Sequence, residues 1–142
     1  MGEFYKPKYF KAQELVDKET FQKFGEMSYM FFDPRALKTL DKIREYFGKP
    51  ITVNNWHLGG TMDSRGLRTI KDRTGAPYGQ HRFGKAFDFS VQGMTAEEVR
   101  KIIIDHQDEE PFNEITAMEK NVTWVHIDFR NIDHKGIYLF NG

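Results

Sequence analysis

The sequence predicts an α+β fold: a single domain in which a small antiparallel sheet carries helices on one side. Three observations predict it. Two amphipathic segments carry helix-capping residues, five short runs read as strands, and 13 Phe, 6 Tyr and 2 Trp supply the volume for one core in 142 residues. We expect residues 33–140 to form the core of the domain 1–142, and residues 1–32 to pack on it as a helical segment.

The clearer of the two helices is predicted over residues 34–47. Asp33 is a favourable N-cap residue, and Pro34 suits the first helical position because an N–H there would have no helical partner. Gly48 ends the pattern. Between these limits the apolar stripe consists of Leu37, Leu40, Ile43 and Phe47. The helix is therefore expected to pack through this stripe.

A capping box opens the second helix. Thr95 and Glu98 are spaced so that each side chain can bond the backbone N–H of the other, and the helix is expected to run to about His106. The N-terminal segment gives weaker signals, which allow one short helix over residues 10–16 and another over residues 20–24.

Five short runs are predicted to be strands. They are residues 51–56, 85–91, 114–119, 123–130 and 137–140. Residues 57–80, between the first two runs, are rich in glycine and polar residues and are predicted to be mostly loop. A loop of this length inside a compact domain is usually functional or disordered.

Composition and charge exclude several classes of protein. Lys and Arg number 21 and balance 21 Asp and Glu, whereas nucleic-acid-binding proteins depend on an excess of cationic groups. The absence of Cys excludes disulfides, thiolate metal sites and thiol nucleophiles. No apolar run approaches the roughly 18 residues that span a membrane, and the charged N-terminus does not read as a signal peptide. We therefore expect a soluble protein made in the cytoplasm, whose partner is neither a nucleic acid nor a membrane.

The alternation of side chains along two strands places polar groups on a face away from the core. In the run 85–91, Phe87 and Phe89 point one way and Asp88 points the other. In the run 123–130 the same alternation separates the apolar residues from His126. If the two strands are neighbours in one sheet, Asp88 and His126 can converge.

A third polar residue, His81, precedes Asp88 by seven positions, which would put the two on opposite faces of a continuous strand. Gly84 permits a break that would let His81 turn back toward Asp88. Together with His126 this gives two imidazoles and one carboxylate, a suitable set of ligands for a divalent metal. The alternative is a half-exposed sheet face on which these residues only hydrogen-bond one another.

Two segments resemble the motifs of a known family. The residues from 79 to 88, G-Q-H-R-F-G-K-A-F-D, resemble the S-x-H-x-x-G-x-A-x-D motif of the zinc D-alanyl-D-alanine peptidases, which share the hedgehog/DD-peptidase fold. Residues 124–128, W-V-H-I-D, resemble the strand with the third zinc ligand. The likeness extends more loosely over residues 33–140, and it is nearest to small phage- and prophage-encoded members. It implies a Zn²⁺ site with the ligands His81, Asp88 and His126.

The resemblance has two departures. Gly79 replaces the serine of the first motif, and Thr123 replaces the catalytic glutamate that many of these peptidases carry three residues before the last histidine. A hydrolase needs another base to take the proton from the attacking water. Glu119, seven residues before His126, is the favoured candidate. Asp128 is the other candidate for the base, or else a residue that orients a ligand imidazole.

The resemblance also implies a role for Arg68. Family members often carry an arginine at the matching place, where it can polarise the scissile carbonyl or bind a carboxylate of the peptide. The implied activity is that of a zinc-dependent metallopeptidase acting on the peptides of bacterial peptidoglycan, either as a D,D-carboxypeptidase or as an endopeptidase of the endolysin type. Without a signal peptide, such a protein would reach the cell wall through a holin, after lysis, or as a virion component.

Two other functions compete with this interpretation. Some members of the family retain the zinc site but act by binding partners, and Thr123 makes a non-catalytic phage structural or wall-docking module a second candidate. A non-haem iron oxygenase also uses two histidines and a carboxylate. Its first histidine and its carboxylate are normally separated by one residue, whereas six residues separate His81 from Asp88.

Overall fold

The computed structural model describes residues 4–76 and 78–142, which form an α+β domain built on one five-stranded sheet. The strand order is β1-β2-β4-β3-β5. The strands are β1 Ile51–Thr52, β2 Ala86–Val91, β3 Ala117–Lys120, β4 Val125–Asp128 and β5 Tyr138–Asn141. Residues 1–3 and Pro77, which belong to the expected N-terminal segment and loop, lie outside the described residues.

The sheet departs from the antiparallel prediction at one edge. All neighbouring strands are antiparallel except β3 and β5, which run parallel. The reason is the connection 129–137, which carries the chain from β4 past β3 before β5 begins. The last strand therefore lies beyond β3 and closes the edge of the sheet.

The two capped helices form where their sequence signals predict them. Helix α2 spans Pro34–Phe47, its N-cap Asp33 accepts a 2.9 Å hydrogen bond from the Arg35 N–H, and Gly48 ends it in a left-handed conformation. Helix α3 spans Ala96–Asp105 and begins with the predicted reciprocal capping box. It ends one residue before His106, the predicted limit.

Of the two short helices predicted for the N-terminal segment, the structure contains the second and little of the first. Helix α1, Lys18–Phe24, includes the predicted residues 20–24, whereas only Ala12–Glu14 of the first is helical, as one 3₁₀ turn. An unpredicted 3₁₀ stretch over Gly25–Phe31 follows α1. Contacts with the rest of the domain stabilise this segment. The buried carboxylate of Asp41 on α2 accepts hydrogen bonds from the Tyr5 hydroxyl and from the N–H groups of Lys8 and Tyr9.

The strand predicted over 51–56 is only two residues long. From Asn54 the backbone leaves the sheet, because its N–H bonds the Glu14 carbonyl and the next N–H bonds the Met62 carbonyl. Strands β2, β3 and β4 are also shorter than predicted, and β3 begins three residues later than residue 114. Strand β5 has the predicted length of four residues but is shifted by one residue toward the C-terminus.

The long predicted loop is largely irregular, with a 3₁₀ turn at Trp56–Leu58 and another beginning at Gln80. It has a defined shape because side chains bond its backbone. The Arg82 guanidinium donates to the carbonyl oxygens of Thr69, Asp72 and Ala76. This loop lies beside the polar face of the sheet.

The two faces of the central strands follow the predicted alternation. One face is fully buried against α2 and α3 and carries Phe87, Phe89, Val125, Ile127 and Phe129. The other face carries the polar side chains, and the loop that follows β1 partly covers it, because the Asp88 N–H bonds the Arg65 carbonyl. Among the helices of the described residues, none is both long enough and apolar enough to cross a membrane.

Candidate metal centre

Three side chains converge on the polar face of the sheet, at Asp88 on β2, His126 on β4 and His81 just before β2. The Asp88 Oδ1 atom lies 2.8 Å from His126 Nδ1 and 3.3 Å from His81 Nε2, and the two nitrogens are 3.3 Å apart. All three residues are at least 93% buried, with exposures of 4%, 5% and 7%. The structure thus brings together the three residues identified in the sequence as metal ligands.

A 3₁₀ turn over Gln80–Phe83 places His81 beside Asp88, as the break at Gly84 predicts. Gly84 has a φ of 67°, and a Cβ on it would lie 2.0 Å from the Phe31 carbonyl oxygen. Only glycine satisfies both conditions without displacing the backbone. His81 Nδ1 lies 2.8 Å from the Gly66 carbonyl oxygen, to which it donates in the tautomer that leaves Nε2 free to bind a metal.

His126 has the opposite arrangement of its two nitrogens. Its Nε2 lies 2.7 Å from Asp128 Oδ2, and its Nδ1 faces Asp88. Burial alone would lower the pKa of His126, but its hydrogen bonds with Asp128 and Asp88 outweigh burial and raise the pKa to about 9. Asp128 thus lies on the far side of the ring from Asp88, a position suited to orienting the imidazole, and its other predicted role, that of the base, stays a prediction.

Asp88 also has a second partner, the arginine that the sequence identifies as a candidate. Arg68 Nη2 donates to Asp88 Oδ2 over 3.1 Å, and Arg68 Nε donates to the Ser64 carbonyl over 2.7 Å. Burial would raise the pKa of Asp88, but the bonds and charges of His126 and His81 hold it well below its usual range. Asp88 is therefore ionised, with Oδ1 directed to the imidazoles and Oδ2 to the arginine.

The register of the sheet aligns four side chains of the polar face in one row across four strands. Asp88 is paired with His126, His126 with Glu119, and Glu119 with Phe140. Paired residues on one face of a sheet have neighbouring Cβ atoms. The half-buried Glu119 is therefore adjacent to His126, although seven residues separate the two in the chain.

An open cleft of about 530 Å³ lies over this row. Its walls come from the long loop, from β3 and β4, and from the last strand. Besides the three converging residues they include Arg68, Tyr78, Glu119, Trp124, Arg130 and Phe140. Two of these, Tyr78 and Trp124, are 85% and 37% exposed, so a ligand in the cleft would contact aromatic surface.

The donor set fits a divalent metal such as zinc. Two imidazole nitrogens and one carboxylate oxygen lie close enough together to bind one ion. The orientation of each of the three side chains is fixed by a hydrogen bond through its other polar atom, to the Gly66 carbonyl, Asp128 or Arg68. Catalytic zinc sites use three protein ligands of these types and keep a further position open. Here the open side is the cleft.

Sequence reasoning did not assign Arg130 or Phe140 to the site. The Arg130 signal was available, because alternation puts it on the same strand face as His126 and Asp128. Phe140 had no such signal, since its position depends on the order of the strands. The contact of the Gly66 carbonyl with His81 could not be predicted either, because Gly66 belongs to an irregular loop.

The family model described as Peptidase M15 matches residues 8–128, which is most of the chain. No curated protein and no solved structure matches this chain. M15 peptidases are zinc-dependent, in agreement with the chemistry of the donors in the cleft. Because the matched residues include His81, Asp88 and His126 and extend from the N-terminal segment to the end of β4, the chain belongs to the M15 peptidase family.

Proposed function

We propose that the protein is a zinc-dependent peptidase that hydrolyses peptide bonds in bacterial peptidoglycan. The observation that carries the proposal is the convergence of His81 Nε2, Asp88 Oδ1 and His126 Nδ1 within 3.3 Å of one another beside an open cleft. Membership of the M15 family supports the hydrolytic chemistry. The substrate class follows from the resemblance of residues 79–88 and 124–128 to the D-alanyl-D-alanine peptidases.

The three converging residues would bind the zinc ion. When bound, zinc supplies a Lewis acid that polarises the scissile carbonyl and lowers the pKa of water. Glu119 acts as the general base, taking a proton from the attacking water and passing it to the leaving amine. Its place in the cleft, next to His126 across the β3–β4 pair, supports this role.

Arg68 orients the substrate in the proposed mechanism. One of its terminal nitrogens bonds Asp88, and the other, Nη1, lies near Gly75 in the cleft wall and has no acceptor among residues 4–76 and 78–142. A guanidinium fixed in this way can donate to a carbonyl or carboxylate oxygen of a peptide.

Metal content is the first test of the proposal. Protein purified without chelators or a histidine tag should contain about one zinc per chain, and His126→Ala should lose it because one of three donors is gone. His106→Ala is the matched control, since His106 is exposed and bonds Glu109 at the end of α3. Iron in place of zinc would favour an oxygenase, and no metal after zinc addition would contradict the proposal.

Substitution of the proposed base separates metal binding from catalysis. Glu119→Gln should retain zinc and release wall peptides from purified peptidoglycan about 10²–10⁴ times more slowly, the usual contribution of a general base. The exposed Glu114→Gln is the control and should cleave at the wild-type rate. Zinc-loaded Glu119→Gln protein that cleaves as fast as wild type would exclude Glu119 as the base.

One observation favours a second candidate, a zinc-binding module without catalytic activity. Thr123 occupies the position of the usual family glutamate and is exposed in the turn between β3 and β4. Zinc-loaded protein that sediments with purified cell walls but releases no peptide from them would support this candidate. Cleavage gained by Thr123→Glu in such a protein would show that only the base is missing.

A further inference from the structure

We propose that Arg130 and Phe140 are positioning residues for the metal centre: together they fix Asp128, so that His126 presents Nδ1 to the ion. The inference rests on the proposed zinc site and extends it to two residues of the cleft wall that are not among the three metal donors. It assigns a role to the last strand of the sheet.

Arg130 contacts Asp128 through two hydrogen bonds. The guanidinium donates from Nε to Asp128 Oδ1 over 2.8 Å and from Nη2 to Oδ2 over 2.5 Å, in a two-pronged pair. Asp128 is fully buried, so its charge needs a partner. With both oxygens bonded to Arg130, the carboxylate cannot rotate away from the Nε2–H of His126.

Phe140 contacts both Arg130 and His126. The Arg130 guanidinium lies over the Phe140 ring, 4.7 Å from its centroid, in a cation–π arrangement. The same ring meets His126 edge to face, with centroids 5.5 Å apart and planes at 82°. Phe140 therefore contacts both ends of the chain of groups that runs from Arg130 through Asp128 to His126.

Fixing Asp128 has a consequence for metal binding by His126. An imidazole whose second nitrogen is bonded to a fixed acceptor keeps one tautomer and one ring orientation, so it needs no rearrangement when a metal binds. Without Arg130 or the Phe140 ring, Asp128 gains freedom and His126 with it. Substitution of such supporting residues typically weakens metal affinity by about 10–100-fold.

The test is the Zn²⁺ affinity of the full chain, measured by competition with a chromogenic chelator. Arg130→Gln and Phe140→Leu should each weaken affinity by about 10-fold or more. Arg130→Lys should fall between Gln and wild type, because an ammonium retains the charge but not the fork. Phe140→Tyr should bind like wild type. The effect of Phe140→Leu should shrink when Arg130→Gln is already present, since both act through Asp128.

Arg44→Gln is the matched control. Arg44 also lies over an aromatic ring, 5.4 Å from the Tyr9 centroid, but it belongs to the last turn of α2 and does not line the cleft. Its substitution should leave Zn²⁺ affinity unchanged.

Two results would overturn the inference while leaving the zinc site intact: variants that fold and bind Zn²⁺ as tightly as wild type, or an equal loss in Arg44→Gln. A wild-type chain that binds no Zn²⁺ would overturn both the inference and the proposed function. Should Arg130→Gln fail to fold, Arg130→Lys and Phe140→Leu decide the question. Because the readout is metal affinity, it does not depend on whether the protein cleaves peptidoglycan.

Discussion

Two histidines in the cleft offer different nitrogens to the same point. His81 is bonded through Nδ1 to the Gly66 carbonyl and presents Nε2, whereas His126 is bonded through Nε2 to Asp128 and presents Nδ1. The acceptor on the far side of each ring fixes this choice. The groups that bond the histidines from behind therefore fix which nitrogen each ring presents to the cleft.

The support of His81 can be tested at Gly66. A Cβ at this position would lie 2.1 Å from the Leu15 carbonyl oxygen, so Gly66→Ala must displace the loop that bonds His81 Nδ1. We expect the free energy of unfolding to fall by about 1–3 kcal/mol and zinc affinity to fall with it. Chemical denaturation and chelator competition measure the two effects.

Gly79→Ala serves as the control for this substitution. A Cβ on Gly79 would approach its nearest atom, the Ala76 carbonyl oxygen, only to 3.2 Å. Smaller losses of stability and affinity are therefore expected. Equal losses in the two variants would argue against a specific role for the Gly66 carbonyl.

Much of the site was predictable at the level of residues. Strand alternation put Asp88 and His126 on one face, and Gly84 allowed His81 to join them, because these are local properties of the chain. The proximity of Glu119 to His126 needed the pairing of β3 with β4. The role of the Gly66 carbonyl could not be predicted, because no local rule fixes the path of a long irregular loop.

At the scale of elements, one carboxylate connects the N-terminal segment to α2. Asp41 is 3% exposed and accepts hydrogen bonds from Tyr5, Lys8 and Tyr9. Asp41→Ala leaves these donors without their acceptor, and we expect a loss of about 2–3 kcal/mol in the free energy of unfolding. Urea denaturation is the measurement, with the exposed Asp133→Ala as control. A loss below about 0.5 kcal/mol would show that contacts other than those of Asp41 hold the segment.

The same segment should make stability sensitive to alkaline pH. Burial and the bond to Asp41 raise the pKa of Tyr5 to about 12, and burial with nearby carboxylates raises that of Tyr29 to about 12. A raised folded-state pKa gives a stabilising contribution that is complete below pH 10, the unfolded value, and is lost as pH rises toward 12. The melting temperature should therefore fall across this window. Tyr29→Phe should flatten the fall, and an unchanged pH profile would contradict the assignment.

The elements with side-chain caps were the most predictable. Asp33 and Thr95 fix the starts of α2 and α3 through bonds to backbone N–H groups three or fewer residues away. The N-terminal turns and the short β1 were predicted poorly, because their geometry depends on distant partners such as Asp41 and Met62. Local bonds can be read from a sequence, whereas bonds between distant segments require the fold.

At the scale of the whole molecule, metal binding should stabilise the folded state. The donors come from separate segments and meet only after folding, so zinc at 100 times its dissociation constant should add about 2.7 kcal/mol. For a domain of this size that corresponds to a rise of about 5–10 °C in melting temperature. Differential scanning calorimetry with zinc and then with a chelator measures it. His126→Ala should show no rise, and a rise equal to that of wild type would place the metal elsewhere.

The fold class and the single-domain organisation were predictable, because the apolar pattern and the capping residues indicate the helices and strands of one core. The parallel placement of β5 was not, since the connection 129–137 carries no signal for which edge the last strand joins. In the cleft wall, Phe140 owes its position to this placement of β5, and Glu119 owes its position to the pairing of β3 with β4.

The row from Asp88 through His126 and Glu119 to Phe140 has a consequence for how the chain tolerates insertions and deletions. Adding or removing one residue within β2, β3 or β4 would turn every following side chain of that strand to the other face, and a two-residue change would restore the face but break the row. Length changes in the connection 106–114 leave the row aligned. Relatives of different length that share this chemistry should therefore differ between the strands, while the spacing inside each strand stays constant.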